Sequence, residues 1–142
     1  MDNKFSCAIH TLILISESDK PLTSEEIAGS VGTNASYIRK ITCLLKKKNI
    51  IESHRGVGGF TLKPSAGDLT LYQIYQAVNE VEKPSLFDIH QNPSDECMVG
   101  RHIKPVLAGM FAEMEEAFAS VLANKTLADC ISEIRNRLAA EA

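Results

Sequence analysis

The sequence has no Cys-x-x-Cys pair, no long apolar run and no strong net charge. Its four cysteines, Cys7, Cys43, Cys97 and Cys130, are widely scattered. That usage argues against a disulfide framework and suits a reducing cytoplasm. The longest apolar stretch, Leu12–Ile15, is far below the roughly 20 residues needed to span a bilayer. The opening Met1-Asp2-Asn3-Lys4 carries no cleavable leader pattern. A cytoplasmic protein that does not enter the membrane is therefore expected. No Gly-Lys-Ser/Thr element accompanies the glycines, which argues against a phosphate-cradling nucleotide loop. No nucleophile, base and orienting group can be assembled from spacing, so an enzyme is not expected. What remains is 142 residues, 44% of them hydrophobic. That is enough for one compact domain, or a small domain with an oligomerisation extension.

The net charge of −3 hides an uneven distribution. Residues 20–63 hold Lys20, Arg39, Lys40, Lys46, Lys47, Lys48, Arg55 and Lys63 against Glu25, Glu26 and Glu52, a net +5. Residues 1–19 carry −2 and residues 64–142 carry −6. A local basic segment attracts phosphates even when the whole molecule is acidic. Taken alone, such a run is equally a solvated, lysine-rich helix face.

Periodicity gives that segment a shape. Phe5, Ala8, Ile9, Leu12 and Ile15 recur three or four apart, an amphipathic helix that Asp19-Lys20-Pro21 interrupts. Thr23-Ser24-Glu25-Glu26 has capping-box form, with Leu22 and Ile27 placed as a hydrophobic staple. The short helix so opened ends at Gly32. Thr33 or Asn34 can cap another helix, with Tyr37, Ile38, Ile41, Leu44 and Leu45 on one face. Ser36, Arg39, Lys40, Cys43, Lys46 and Lys47 fall on the other. Two short helices joined by a tight Gly-containing turn make a helix-turn-helix, whose second helix enters the DNA major groove. Here the second helix is also the basic one.

Ile50–His54 reads as a strand and Phe60–Leu62 as its antiparallel partner, joined by the glycine-rich Arg55-Gly56-Val57-Gly58-Gly59. This is a wing. Thr70 with Gln73, and Leu69 with Ile74, repeat the cap-plus-staple device for a helix to about Val81. The pattern lapses over residues 82–104. A long helix is expected from Pro105, which suits a first turn, to Ala123. It carries Leu107, Met110, Phe111, Met114, Phe118, Val121 and Leu122 as the expected interface of a homodimer. Thr126 opens a last helix with Leu127, Ile131, Ile134 and Leu138 on one face. The expected fold is mainly α: a winged helix-turn-helix over residues 1–81, a loop over 82–104, and dimerisation and C-terminal helices over 105–142.

In order and spacing, Leu22-Thr23-Ser24-Glu25-Glu26-Ile27-Ala28, Tyr37-Ile38-Arg39-Lys40, Arg55-Gly56-Val57-Gly58-Gly59-Phe60, Leu69–Val78, Cys97-Met98-Val99-Gly100-Arg101 and Thr126-Leu127-Ala128-Asp129 resemble the Rrf2 family of bacterial winged-helix regulators. The resemblance implies a cytoplasmic, homodimeric transcription regulator, usually a repressor, on a pseudo-palindromic operator. It places Asn34, Ser36, Tyr37, Arg39 and Lys40 on the recognition helix, and His54, Arg55 and Gly56 on the wing. The chemistry agrees: Arg can bind guanine bidentately, and Ser and Asn can reach bases or phosphates. Cluster-binding members carry three cysteines in the loop before the dimer helix, whereas this loop offers Cys97 alone. One thiolate does not supply an iron–sulfur cluster, so none is expected. His90, Cys97 and His102 are ligand types, but their spacing matches no zinc pattern. Cys97 is instead a candidate redox-sensing thiol. Cys7, Cys43 and Cys130 are expected to pack as small apolar residues. The alternative function is a winged-helix protein–protein adaptor, since fold does not fix function.

Overall fold

The first amphipathic pattern becomes α1, Lys4–Glu17, in a computed structural model that describes residues 2–56 and 58–142. Met1 and Val57, the latter central to the glycine-rich turn, lie outside the described residues. Helix α1 buries Cys7, Ala8, Thr11, Leu12 and Ile15. Thr11 tolerates burial because its hydroxyl donates to the Cys7 carbonyl at 2.8 Å.

Helix α2, Ser24–Val31, opens on a complete capping box. The Thr23 hydroxyl accepts from the Glu26 amide and the Glu26 carboxylate from the Thr23 amide, both at 3.1 Å. It ends at Gly32, whose φ of 85° only glycine adopts cheaply. Asn34 Oδ1 accepts from the Tyr37 amide at 2.9 Å and starts α3, Ala35–Lys47. Ile38, Ile41 and Leu45 are fully buried along it. Such side chains stabilise by about 1.5–3 kcal/mol each over leaving them in water.

The wing follows. Strands β1, Ile51–Ser53, and β2, Phe60–Leu62, pair antiparallel with Ile51 opposite Leu62. The His54 amide donates to the Gly59 carbonyl at 3.2 Å, and the Gly58 amide to the His54 carbonyl at 3.1 Å. These bonds close the turn beyond the strands.

Helix α4, Leu71–Asn79, and helix α6, Leu127–Glu141, each start from a threonine capping box, at Thr70 and Thr126. The two starts are stitched together. Leu71 N donates to Lys125 O and Leu127 N to Leu69 O, both at 2.9 Å. Thus Leu127 and Ile131 reach the same core as Leu69 and Ile74. An edge-to-face series, Phe5–Tyr75 at 5.5 Å and Tyr75–Phe118 at 5.6 Å, ties α1 through α4 to the long helix α5, Met98–Ala123.

Three expectations require correction. Helix α5 begins at Met98, so Pro105 lies inside it rather than in its first turn. An interior proline costs about 3 kcal/mol relative to alanine. The helix persists through it with apolar residues spaced at Val99, Ile103, Val106 and Met110. The loop before α5 is correspondingly shorter, and it is fastened down. Phe87 packs on Phe111 with ring centroids 4.9 Å apart, and Glu115 accepts from the Leu86 amide. Second, Ile134 and Leu138 are exposed; Ile134 borders an open groove beside Phe5, Ile9 and Ile13 of α1 instead of entering the core. Third, Cys43 is exposed, while Cys7 is buried and Cys130 partly so. Cys43 lies one turn from Arg39 and from Lys47, on the polar face of α3.

Candidate nucleic-acid interface

Because Ile38, Ile41 and Leu45 face the core, the opposite side of α3 must face solvent. Ser36, Arg39, Lys40, Cys43, Lys46 and Lys47 are all exposed there. This one surface carries four cations within three turns. Arg39 Nη1 lies 3.4 Å from Glu25 Oε1 on α2, and Lys47 Nζ lies 3.4 Å from Glu80 Oε1 beyond α4. Both pairs are exposed, so each contributes little to stability. A phosphate or a guanine edge can displace either acid.

Two of the residues expected on the recognition helix have structural roles. Asn34 spends its carbonyl on the helix cap, leaving its amide group for an outside partner. Tyr37 is half-buried, and its hydroxyl donates to Asn3 Oδ1 at 3.1 Å. Burial pushes the Tyr37 pKa up, so the hydroxyl stays a donor. Tyr37 therefore links α3 to the start of α1.

The wing supplies the second element. His54, Arg55 and Gly56 are exposed at its turn. His54 Nε2 lies 2.8 Å from Thr61 Oγ1, which ties the ring across the hairpin to β2. Arg55 carries the only cation of the turn.

The seven apolar residues expected at a dimer interface divide between two faces of α5. Leu122 is buried in the protein's own core, and Phe118 stacks on Tyr75. Phe111 is covered by Phe87, and Leu107 is half-buried. Met110, Met114 and Val121 point away, being 52%, 47% and 55% exposed. Val99 and Val106 extend this outward stripe towards the helix start. A helix starting at Pro105 leaves out Val99, whereas Val106 falls within its expected span. The spacing 99, 106, 110, 114, 121 carries the signal once the helix is allowed to pass through the proline.

Cys97 is exposed at the cap of α5. The Gly100 and Val99 amides hold its thiol below the ordinary thiol pKa. Burial pushes the Cys130 thiol up instead. Among the described residues, no three His, Cys, Asp or Glu side chains gather as a metal site. His90, Cys97 and His102 are therefore not brought together as ligands. No helix among the described residues is long and apolar enough to cross a membrane.

A helix-turn-helix with a basic second helix and a flanking wing defines a winged-helix DNA-binding protein. Residues 1–133 match the family model described as Rrf2, iron-dependent transcriptional regulator. The chain belongs to the Rrf2 family of transcriptional regulators. It is 38% identical over 134 residues to Bacillus subtilis YwnA, by its name an HTH-type transcriptional regulator, covering 94% of this chain and 98% of YwnA. A crystallised protein described as DNA-binding shares 37% identity and a TM-score of 0.74, over 90% of this chain and 98% of its own. The cysteine regulator CymR of B. subtilis shares the fold, with a TM-score of 0.70 at 18% identity over 94% and 96% of the two chains. YwnA and CymR are regulators by name, and the family is one of transcriptional regulators, not enzymes.

Proposed function

We propose that the protein is a cytoplasmic, homodimeric repressor that binds a pseudo-palindromic operator. The observation that carries this reading is the division of α3 into a fully buried apolar face and an exposed face bearing Arg39, Lys40, Lys46 and Lys47. Such a helix presents its cations to a major groove without disturbing the core. Arg39 and Ser36 supply base contacts; Lys40, Lys46 and Lys47 supply phosphate contacts. Arg55 and His54 on the wing engage the adjoining groove or backbone. One winged helix reads one half-site, and the outward stripe of α5 gives the second copy a place to pair. Bound over a promoter, the dimer blocks transcription.

Control does not run through an iron–sulfur cluster on this reading, because Cys97 is the only thiol in the loop before α5. Its exposure and lowered pKa favour Cys97 as the sensing group. Attack of the thiolate on a peroxide oxygen breaks the O–O bond, giving a sulfenic acid and releasing hydroxide. Titrating salt against binding to genomic fragments retained by the protein tests the DNA reading. A steep log–log loss of affinity with salt is expected. Arg39→Ala should weaken binding by about 1–3 kcal/mol and relax preference at one base position. A protein–protein adaptor would leave duplex DNA unbound even at low salt.

A further inference from the structure

The glycine-rich turn contains one glycine whose environment differs from its neighbours'. Gly58 and Gly59 have similar positive φ, 75° and 77°. A Cβ placed on Gly58 would meet nothing within 4 Å among the described residues. A Cβ on Gly59 would lie 2.6 Å from Pro21 Cβ and 2.8 Å from Pro21 Cα. Strand β2 thus enters the sheet pressed directly onto the connection between α1 and α2.

That connection is braced. The Ser18 hydroxyl donates to the Lys20 carbonyl at 2.8 Å and accepts from the Lys20 amide at 3.3 Å. Lys20 Nζ lies 3.5 Å from Glu26 Oε2 in the first turn of α2. The Pro21 ring fixes its own φ, and Leu22 packs against the core one residue later. Pro21 is therefore set relative to α2, and through α2 relative to α3. Beside this contact the wing stands over a cleft of about 230 Å³ lined by Ser18, Leu22, His54, Phe60 and Thr61. Close support comes at Gly59.

On the DNA-binding reading above, on which this rests, we infer that the Gly59–Pro21 contact sets the pitch of the wing against the recognition helix. Gly59 and Pro21 are positioning residues for Arg55 and touch no DNA themselves. A methyl group on Gly59 meets backbone and ring atoms that cannot swing aside. Restoring normal carbon–carbon separations of about 3.5–4.0 Å requires β2 to lift by about 1 Å. A recognition element displaced by that much loses its geometry.

The test is a double-mutant cycle with Arg55→Ala, read as affinity for the operator duplex. In the parent, Arg55→Ala weakens binding about tenfold. In Gly59→Ala the same change costs less than about twofold, because Arg55 is already misplaced. In Gly58→Ala, which carries equal backbone strain without the clash, the cost stays at about tenfold. Pro21→Gly removes the ring side of the platform and frees its φ without altering the hairpin, and should also reduce the Arg55 effect. It keeps the test alive if Gly59→Ala folds poorly. The Arg39→Ala penalty should be unchanged in every background. Equal Arg55 penalties in the parent, Gly59→Ala and Pro21→Gly proteins would overturn the inference while leaving DNA binding intact. A parent that binds no duplex at any salt overturns both.

Discussion

Helices α3 and α5 are both two-faced, but they leave different chemistry uncovered. The open face of α3 carries Arg39, Lys40, Lys46 and Lys47, side chains that water solvates well. The open face of α5 carries Val99, Val106, Met110 and Met114, which water does not. A charged face is stable in solvent and waits for a polyanion; an apolar stripe of that length calls for a second apolar surface. The difference separates two tasks along one chain. The first is a finished module whose function lies on its surface. The second is completed, on our reading, by another copy.

The sharpest break of this comparison puts charge on the wrong helix. Met110→Asp with Met114→Asp should halve the mass in solution while leaving the circular dichroism of the fold intact. Operator affinity should fall by at least about 100-fold, as two linked half-sites become one. A dimer that survives both changes would place the interface elsewhere. Next in size is the inward face of the same helix. Leu122→Ala should cost about 2–5 kcal/mol in denaturant unfolding, because Leu122 is only 6% exposed. Loss of less than 1 kcal/mol would mean that α5 is not packed as described.

On α3, Lys40→Ala should leave stability within about 0.5 kcal/mol of the parent. It should also lower the slope of log affinity against log salt by about one. An unchanged slope would remove Lys40 from the phosphate contacts. The smallest effect is chemical. Iodoacetamide near neutral pH should label Cys97 ahead of Cys130 and Cys7. The Gly100 and Val99 amides lower the Cys97 pKa, burial raises that of Cys130, and Cys7 is buried. Mass spectrometry of the peptides at early times checks the order; Cys130 ahead of Cys97 would contradict it.

Much of the winged helix was legible in the sequence because its signals are local. Thr23 with Glu26, and Thr70 with Gln73, cap their helices within four residues, and the structure contains both boxes. The basic face of α3 follows from its apolar face in the same way. The misreadings occur where distant contacts decide. Pro105 carries a local start signal, yet the helix begins at Met98, with the preceding loop docked through Phe87 and Leu86. Ile134 and Leu138 keep helical spacing, but periodicity does not say whether a core lies opposite them. Phe118 and Phe111 share a stripe, yet Tyr75 and Phe87 claim them. The Gly59–Pro21 contact joins residues 38 positions apart, and no local pattern announces it.

Sedimentation of the protein with a single labelled operator duplex tests the central claim most directly. Two chains per duplex are predicted, with the complex weakened when Arg39 is replaced by alanine and weakened further when Met110 and Met114 are replaced by aspartate. One chain per duplex at saturation, or an undiminished complex in the Arg39→Ala protein, would contradict it.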